Sequence, residues 1–239
     1  MTSAPTSTLS PSAAHPSGTE LLDDPQADPD LVRINLGDLA RANRWFGGWA
    51  AVKHGLTRVL RQVPGSCFSL LDVGPGAADL SAAAVNWGTQ RGITILPVGI
   101  EQNRTVARYA RARGLRVARG RGGALPLADD SVDLVMVSQV AHHLERLGLI
   151  ELFRECDRVA RRAVIVADLR RSGFARAAFA VGGRLLRFHP VTLADGETSI
   201  RRGYTPAELD ELLHAAGVDG MVTGRPFYRL VAVWRPRPT

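Results

Sequence analysis

The sequence predicts an α/β protein built on a mostly parallel sheet with helices on both faces. Three observations carry that expectation. Near-continuous apolar runs alternate with helical stretches from Phe68 to the end of the chain, the pattern of strands buried on both sides. The first run leads straight into a glycine turn, Gly74-Pro75-Gly76, and then a helix. The length of 239 residues, with 45% hydrophobic and 22% charged residues, fits one domain with appendages and a sizeable core.

Taken in order, residues 1–18 ("MTSAPTSTLSPSAAHPSG") read as a disordered tail of Ser, Thr, Ala and Pro. They have no basic start and no apolar stretch, so they are not a secretory signal. No apolar run approaches the ~20 residues of a membrane span, and a cytoplasmic protein is the default expectation.

Residues 19–64 read as an N-terminal helical cap. Asp28 suits an N-cap and Pro29 a first turn. Apolar positions recur at helical steps through Val32, Leu36, Leu39 and Ala42. Gly47-Gly48 breaks the run, and a second helix, "WAAVKHGLTRVLRQV", ends at Pro64-Gly65.

Residues 65–239 read as the sheet domain. The strands are "FSLLDV", "ITILPVGI", "LRVARG", "SVDLVMVS", "RRAVIVADL" and "YRLVAVWRP". Helices fall at "AADLSAAAVNWG", "NRTVARYARARG", "LGLIELFRECDRVA", "RSGFARAAFAVGGRLLRF" and "TPAELDELLHAAG". The last of these carries a Thr205–Glu208 capping box. The segment with His189 and "SIRRGYT" reads as a less regular insertion. The chain end is expected to add an antiparallel strand at one edge of the sheet. There is no internal repeat.

The net charge is +7, yet only one of 30 basic residues is a lysine, Lys53. Such lopsided use of arginine reflects codon bias more than partners. The arginines of "RYARARGLRVARGRGG" keep nucleic acid open as a partner. A solvated basic face is the plainer reading, because Tyr109 is the only aromatic platform there. Cys67 and Cys156 make no metal spacing and are expected as reduced thiols in or near the core.

The informative stretch is "LLDVGPGAADL", residues 70–80. Ligands of such sheets sit at the carboxyl ends of the strands. A dinucleotide fingerprint would place a third glycine where Asp79 stands. A carboxylate in the first helical turn takes the place a pyrophosphate would use, and Asp72 on the other side would repel phosphate too. A phosphate-free cation fits better, and S-adenosyl-L-methionine, with an ammonium and a sulfonium, is one. The next strand ends "VGIE", which sets Glu101 beside the loop as an acceptor for ribose hydroxyls.

With "VGIEQN", "ALPLADDSVDLVMVSQVAHHL" and "YTPAELDELLHAAGV", the stretch resembles the class I S-adenosylmethionine-dependent methyltransferases, small-molecule type, over roughly residues 66–239. The resemblance implies a Rossmann-like, mostly parallel seven-stranded sheet. It implies that Asp72, Gly74 and Gly76 line the methionine end of the cofactor, that Glu101 holds the ribose, and that Gln102 lies beside the adenine. Ser138 and Gln139 would border the methionine moiety, and Leu125 the adenine side. The family's adenine-binding Asp is replaced by Arg121, which cannot accept that bond. Backbone groups of Gly122 and Gly123, or stacking by Arg121, would take its place.

"VAHHLE" follows the fourth strand at the rim of the expected site. His142 and His143 are therefore candidates for a base, an imidazole being available near pH 7. His143 is preferred because it follows the strand by one more residue; a packing role is the alternative. No third ligand is placed by sequence, so no metal is expected. Arg201, Arg202 and Tyr204 are candidates to border the substrate. Trp45, Phe46 and Trp49 form either an apolar lid or helix packing.

The main expectation is a methyltransferase acting on a small molecule, by O-methylation of an aromatic or polyketide-like hydroxyl. "LARANRWFGGW" adds a resemblance to methyltransferases that accompany polyketide synthases in bacteria, and so to secondary metabolism. C-methylation of a quinol-like ring is close behind. A nucleic-acid methyltransferase lacks its "NPPY"-type signature here, where "SQVAHH" stands, and a non-catalytic cofactor-binding protein has only Arg121 in its favour. A homodimer is left open.

Overall fold

The computed structural model describes residues 19–237. The expected tail at 1–18 lies outside the described residues, apart from which the chain alternates strands and helices as the sequence suggests. Helices α1 (Pro29–Trp45) and α2 (Gly48–Leu60) come first. Asp28 caps α1 by accepting from the Asp30 amide, with Pro29 at the first position. Gly47 adopts a φ of 78° and starts α2, a left-handed conformation that glycine takes at no steric cost.

The sheet contains β1 (Cys67–Val73), β2 (Thr94–Glu101), β3 (Arg116–Arg119), β4 (Val132–Ser138), β5 (Ala160–Leu169), β6 (Met221–Arg225) and β7 (Arg229–Trp234). The helices between them are α3 (Asp79–Thr89), α4 (Arg104–Ala112), α5 (Arg146–Val159), α6 (Gly173–Leu185), α7 (Pro190–Arg202) and α8 (Pro206–Ala216). Strand order is β3-β2-β1-β4-β5-β7-β6. β7 is the antiparallel strand; it runs against both β5 and β6, and β6 lies outside it. The capping box of α8 is formed by Thr205 and Glu208.

Two elements differ from the segments read above: Met221–Arg225 forms β6, and a further helix lies before α8. The segment read as a less regular insertion is largely the helix α7. His189 caps it through Nδ1, which accepts from the Val191 amide, and Pro190 opens it.

Alternation along the strands builds two apolar layers. Leu70, Leu134 and Met136 face α2 and α3, where Val52, Leu56, Leu80 and Trp87 cover them. Leu71, Val135 and Val137 face α5 and α8, against Leu149, Phe153, Leu209 and Leu213. Each such side chain contributes about 1.5–3 kcal/mol when fully buried. Cys156 joins this second layer, whereas Cys67, at the start of β1, is exposed. The chain moves from β1 outward to β3, then returns to β4 on the other side of β1. That reversal opens a crevice at the carboxyl ends of β1 and β4.

Candidate functional site

The crevice is a cavity of about 650 Å³ lined from both directions of the sheet, within the usual range for small-molecule sites. One side is the glycine turn after β1. Gly74 has a φ of 69°, and its N–H donates to the Ile100 carbonyl at 2.9 Å. A Cβ there would stand 2.6 Å from Val140 Cγ2. Gly76 also has positive φ, and α3 begins three residues later at Asp79.

Three carboxylates gather around this turn. Asp72 is buried and accepts from Ser81 Oγ at 2.6 Å. Burial pushes it up to about 7, opposed by the Ser81 bond and reinforced by Asp79 and Glu101. Burial likewise raises Asp79 and Glu101, although Asn43 donates to the first and the Asn103 amide to the second. A group of carboxylates so short of positive charge is suited to a cation and hostile to phosphate.

Of the other residues expected on this side, Gln102 is exposed and lines the cavity, as do Arg121, Gly122 and Gly123. Ser138 is buried at the rim with its Oγ unpartnered. Gln139, with a φ of 57°, donates to Asn43 Oδ1 and accepts from Arg229. Leu125 does not reach the cavity. It is buried in the α5 layer, and its amide donates to Glu155 Oε2 at 2.7 Å. Glu151, which sequence reasoning passed over, lines the cavity beside Gly123.

The other side is predominantly apolar, with Asn35, Asp195 and Arg170 among its lining residues. Leu39, Phe46, Phe174, Phe179, Ile200 and Tyr228 line it, and the Phe46 and Phe179 rings stand 5.4 Å apart. Of the three aromatic residues considered for a lid, Trp45 and Phe46 line the cavity, while Trp49 packs on the sheet.

The two histidines sit on a turn, residues 141–143, after β4. His142 is buried, and its Nδ1 lies 2.7 Å from Asp168 Oδ1. Asp168, at the end of β5, also accepts from the Ala141 and Leu169 amides. Burial alone would raise Asp168, but the His142 imidazole and these bonds outweigh it and hold the group below its ordinary range. An ionised Asp168 keeps the proton on Nδ1 and leaves Nε2 as the acceptor.

His143 has a different setting. Its Nδ1 stands 3.0 Å from Asp23 Oδ1 and its Nε2 3.8 Å from Glu20 Oε2. Burial pulls its pKa down, but Asp23 and Glu20 prevail and hold it above the ordinary histidine value. Glu20 is itself held by Ser199 Oγ at 2.7 Å and Arg202 at 3.2 Å. Glu20 is also the third ligand-type side chain that sequence alone did not place: its carboxylate and the two imidazoles offer atoms within 4.8 Å of one another.

Two residues expected near the substrate lie elsewhere. Arg201 is exposed on α7 and does not line the cavity. Tyr204 shares its one hydroxyl proton between the carbonyls of Ala141 and Leu144, each at 3.2 Å. It therefore braces the histidine turn from behind. Burial raises its phenol well above the ordinary value, so it stays a donor.

Comparison with known proteins agrees with this fold. Residues 71–167 match a family described as a methyltransferase domain. No curated protein matches the chain in sequence. Among solved structures, an S-adenosylmethionine-dependent methyltransferase from Aquifex aeolicus is 17% identical, with 89% of this chain and 100% of that one covered at a TM-score of 0.60. A methyltransferase from Methanosarcina mazei is 15% identical, with 76% and 98% covered at 0.54. Human N-acetylserotonin methyltransferase, solved with S-adenosylmethionine, is 14% identical at a TM-score of 0.62. The match covers 88% of this chain and 57% of that one.

Proposed function

We propose that this chain is a class I S-adenosylmethionine-dependent methyltransferase and that it methylates a hydroxyl of an aromatic or polyketide-like small molecule. The observation that carries the reading is the Asp168–His142 pair at the edge of an aromatic-walled cavity.

When bound, the cofactor supplies an electrophilic methyl group on its sulfonium. The chain's own residues then have three tasks. Asp72, Gly74 and Gly76 would receive the methionine end, and the unpartnered Ser138 Oγ offers a hydrogen bond there. Glu101 would accept from the ribose. Gly122 and Gly123 would border the adenine, with Glu151 supplying the acceptor that Arg121 cannot. Phe46 and Phe179 would orient the acceptor ring and exclude water, since alignment is a large part of such a displacement.

His142 is our choice for the base. Its Nε2 is left free by Asp168 and would take the hydroxyl proton as the new O–C bond forms. His142 is preferred to His143, which sequence position favours, because the Asp23 and Glu20 carboxylates face both His143 ring nitrogens and raise its pKa. C-methylation of a quinol-like ring would use the same geometry. A nucleic-acid substrate is disfavoured, because the enclosed aromatic side suits a small acceptor.

The test is incubation with S-adenosylmethionine and a panel of phenols, followed by mass spectrometry. A product heavier by one methyl group, lost in His142→Ala, is the expected result. Methylation of RNA with no phenol turned over would overturn the reading.

A further inference from the structure

Arg229 is the one buried arginine among the described residues. It opens β7, and because β7 runs antiparallel, this first residue lies at the carboxyl end of β5, opposite Leu169. Its side chain lines the cavity. Nε donates to the Phe46 carbonyl at 2.9 Å, and Nη1 donates to Gln139 Oε1 at 2.8 Å.

Both of those acceptors are neutral. Among the described residues Arg229 makes no ion pair. The carboxylate that bears on it from a distance is Asp168, whose oxygens are already engaged by His142 and two backbone amides. Among the described residues Nη2 makes no hydrogen bond. Burial without a counter-charge pulls this guanidinium down to about 10, yet near neutrality it remains a cation. A buried charge left unpaired is costly. A cavity that keeps one is built to receive the opposite charge from its occupant.

Two occupants carry anions: the cofactor, through its methionine carboxylate, and the acceptor. Topology favours the acceptor. The glycine turn follows β1, whereas Arg229 stands on β7, three strands away in the order β1-β4-β5-β7, or ~14 Å at the usual strand spacing. Its neighbours are Gln139 at the end of β4, Phe46 and the Asp168–His142 pair, so the guanidinium lies where the aromatic side meets the methionine end, and the experiment below has an arm for each occupant. We propose that Arg229 binds a carboxylate of the acceptor, so that the substrate is a hydroxylated aromatic acid. The planar fork of a guanidinium matches a carboxylate, and Gln139 and the Phe46 carbonyl fix the fork's plane. Asn43 in turn donates to Asp79 and accepts from Gln139, so one chain of side chains links the two halves of the cavity.

This inference rests on the reading of the acceptor as a hydroxylated aromatic, and the experiment separates the two. Protein loaded with S-adenosylhomocysteine is titrated by calorimetry with 2,4-dihydroxybenzoate and with its methyl ester. The acid is expected to bind at least about tenfold tighter than the ester, and Arg229→Gln to erase the difference. Arg229→Lys, which keeps the charge and loses the fork, should fall between. Removing the buried charge should leave the melting temperature of the unliganded protein unchanged or raised; a purely structural arginine would lower it. Equal binding of acid and ester by the parent overturns the proposal. So does loss of S-adenosylhomocysteine affinity in Arg229→Gln with the acid preference intact, which would assign the charge to the cofactor. Methylation of the ester but not the acid would leave the hydroxyl reading standing and remove this one.

Discussion

The two halves of the cavity are assembled in opposite ways. The glycine-turn half comes mostly from adjacent sequence: Asp72, Gly74, Gly76, Asp79 and Ser81 fall within one strand, its turn and the start of α3, and Glu101 is added from the end of β2. The aromatic half comes from the whole chain. Phe46 arrives from the turn after α1, His142 from the turn after β4, Asp168 from β5, Phe179 from α6 and Arg229 from β7. The first half is written in backbone conformation and local spacing, the second in long-range packing. The first should therefore break when the backbone is altered, and the second when one side chain is truncated.

The largest expected effect lies in the glycine-turn half. Gly74→Val puts a branched side chain where φ is 69° and a Cβ already lies 2.6 Å from Val140. S-adenosylhomocysteine binding by calorimetry should disappear. Asp72→Ala should lose it as well, while its unliganded melting temperature holds or rises, because a buried carboxylate raised to about 7 opposes folding near neutrality. Normal affinity in both folded variants would put the cofactor elsewhere.

That contrast also explains what the sequence could tell. Strand alternation, the Asp28 cap, the Thr205–Glu208 box and the Gly74–Gly76 turn are local, and each is legible within a few residues. α7 was missed because "SIRRGYT" gives no clear period, although His189-Pro190 is a helix start. Asp168 carried a usable signal, a carboxylate ending the apolar run "VIVAD". Arg229 carried a fainter one, a charge opening "RLVAVW". Neither could be joined to His142 or Phe46, because sheet order is set by packing. Tyr204 and Arg201 were assigned by nearness in sequence to a capped helix, which does not say which way a side chain faces.

The aromatic half yields the next largest effect. His142→Ala is expected to lower kcat by roughly 10²–10⁴, with cofactor affinity unchanged. His143→Ala should cost much less, since its partners are Asp23 and Glu20. Steady-state kinetics on both variants decide between them, and a larger loss at His143 would reverse the assignment.

Back in the glycine-turn half, Glu101→Ala should weaken S-adenosylhomocysteine binding by about 1–3 kcal/mol, the range for bonds to a charged group. Glu101→Gln should cost less. Parent-like affinity in both would remove Glu101 from the ribose.

A smaller effect, of about tenfold, is expected from pH. In the free protein Asp72 is raised to about 7, so it is partly protonated near neutrality. A cationic ligand favours the carboxylate and draws its pKa down. Binding therefore releases a proton at and below that pH, and affinity should rise from pH 6 to pH 8. Calorimetry in buffers of differing ionisation enthalpy reads the proton directly. Affinity that is flat over this range, with no proton released, would mean that Asp72 is already ionised before binding.

The smallest effect tests whether the aromatic half depends on residues that never touch its ligands. Tyr204 shares its hydroxyl proton between the Ala141 and Leu144 carbonyls at either end of the histidine turn. Tyr204→Phe keeps the ring and removes only that shared bond, a loss of about 0.5–1.5 kcal/mol at most. Part of that cost is recovered, because the phenol is only partly buried and water can satisfy the freed carbonyls. The melting temperature should drop by a few degrees. The turn that aims His142 should loosen, so kcat should fall a few-fold while KM for the phenol holds. Had Tyr204 bordered the substrate, the order would invert, with KM rising and kcat holding. A rise in KM alone would therefore return Tyr204 to the substrate wall and leave the histidine turn to be held by Asp168 through the Ala141 amide and His142 Nδ1.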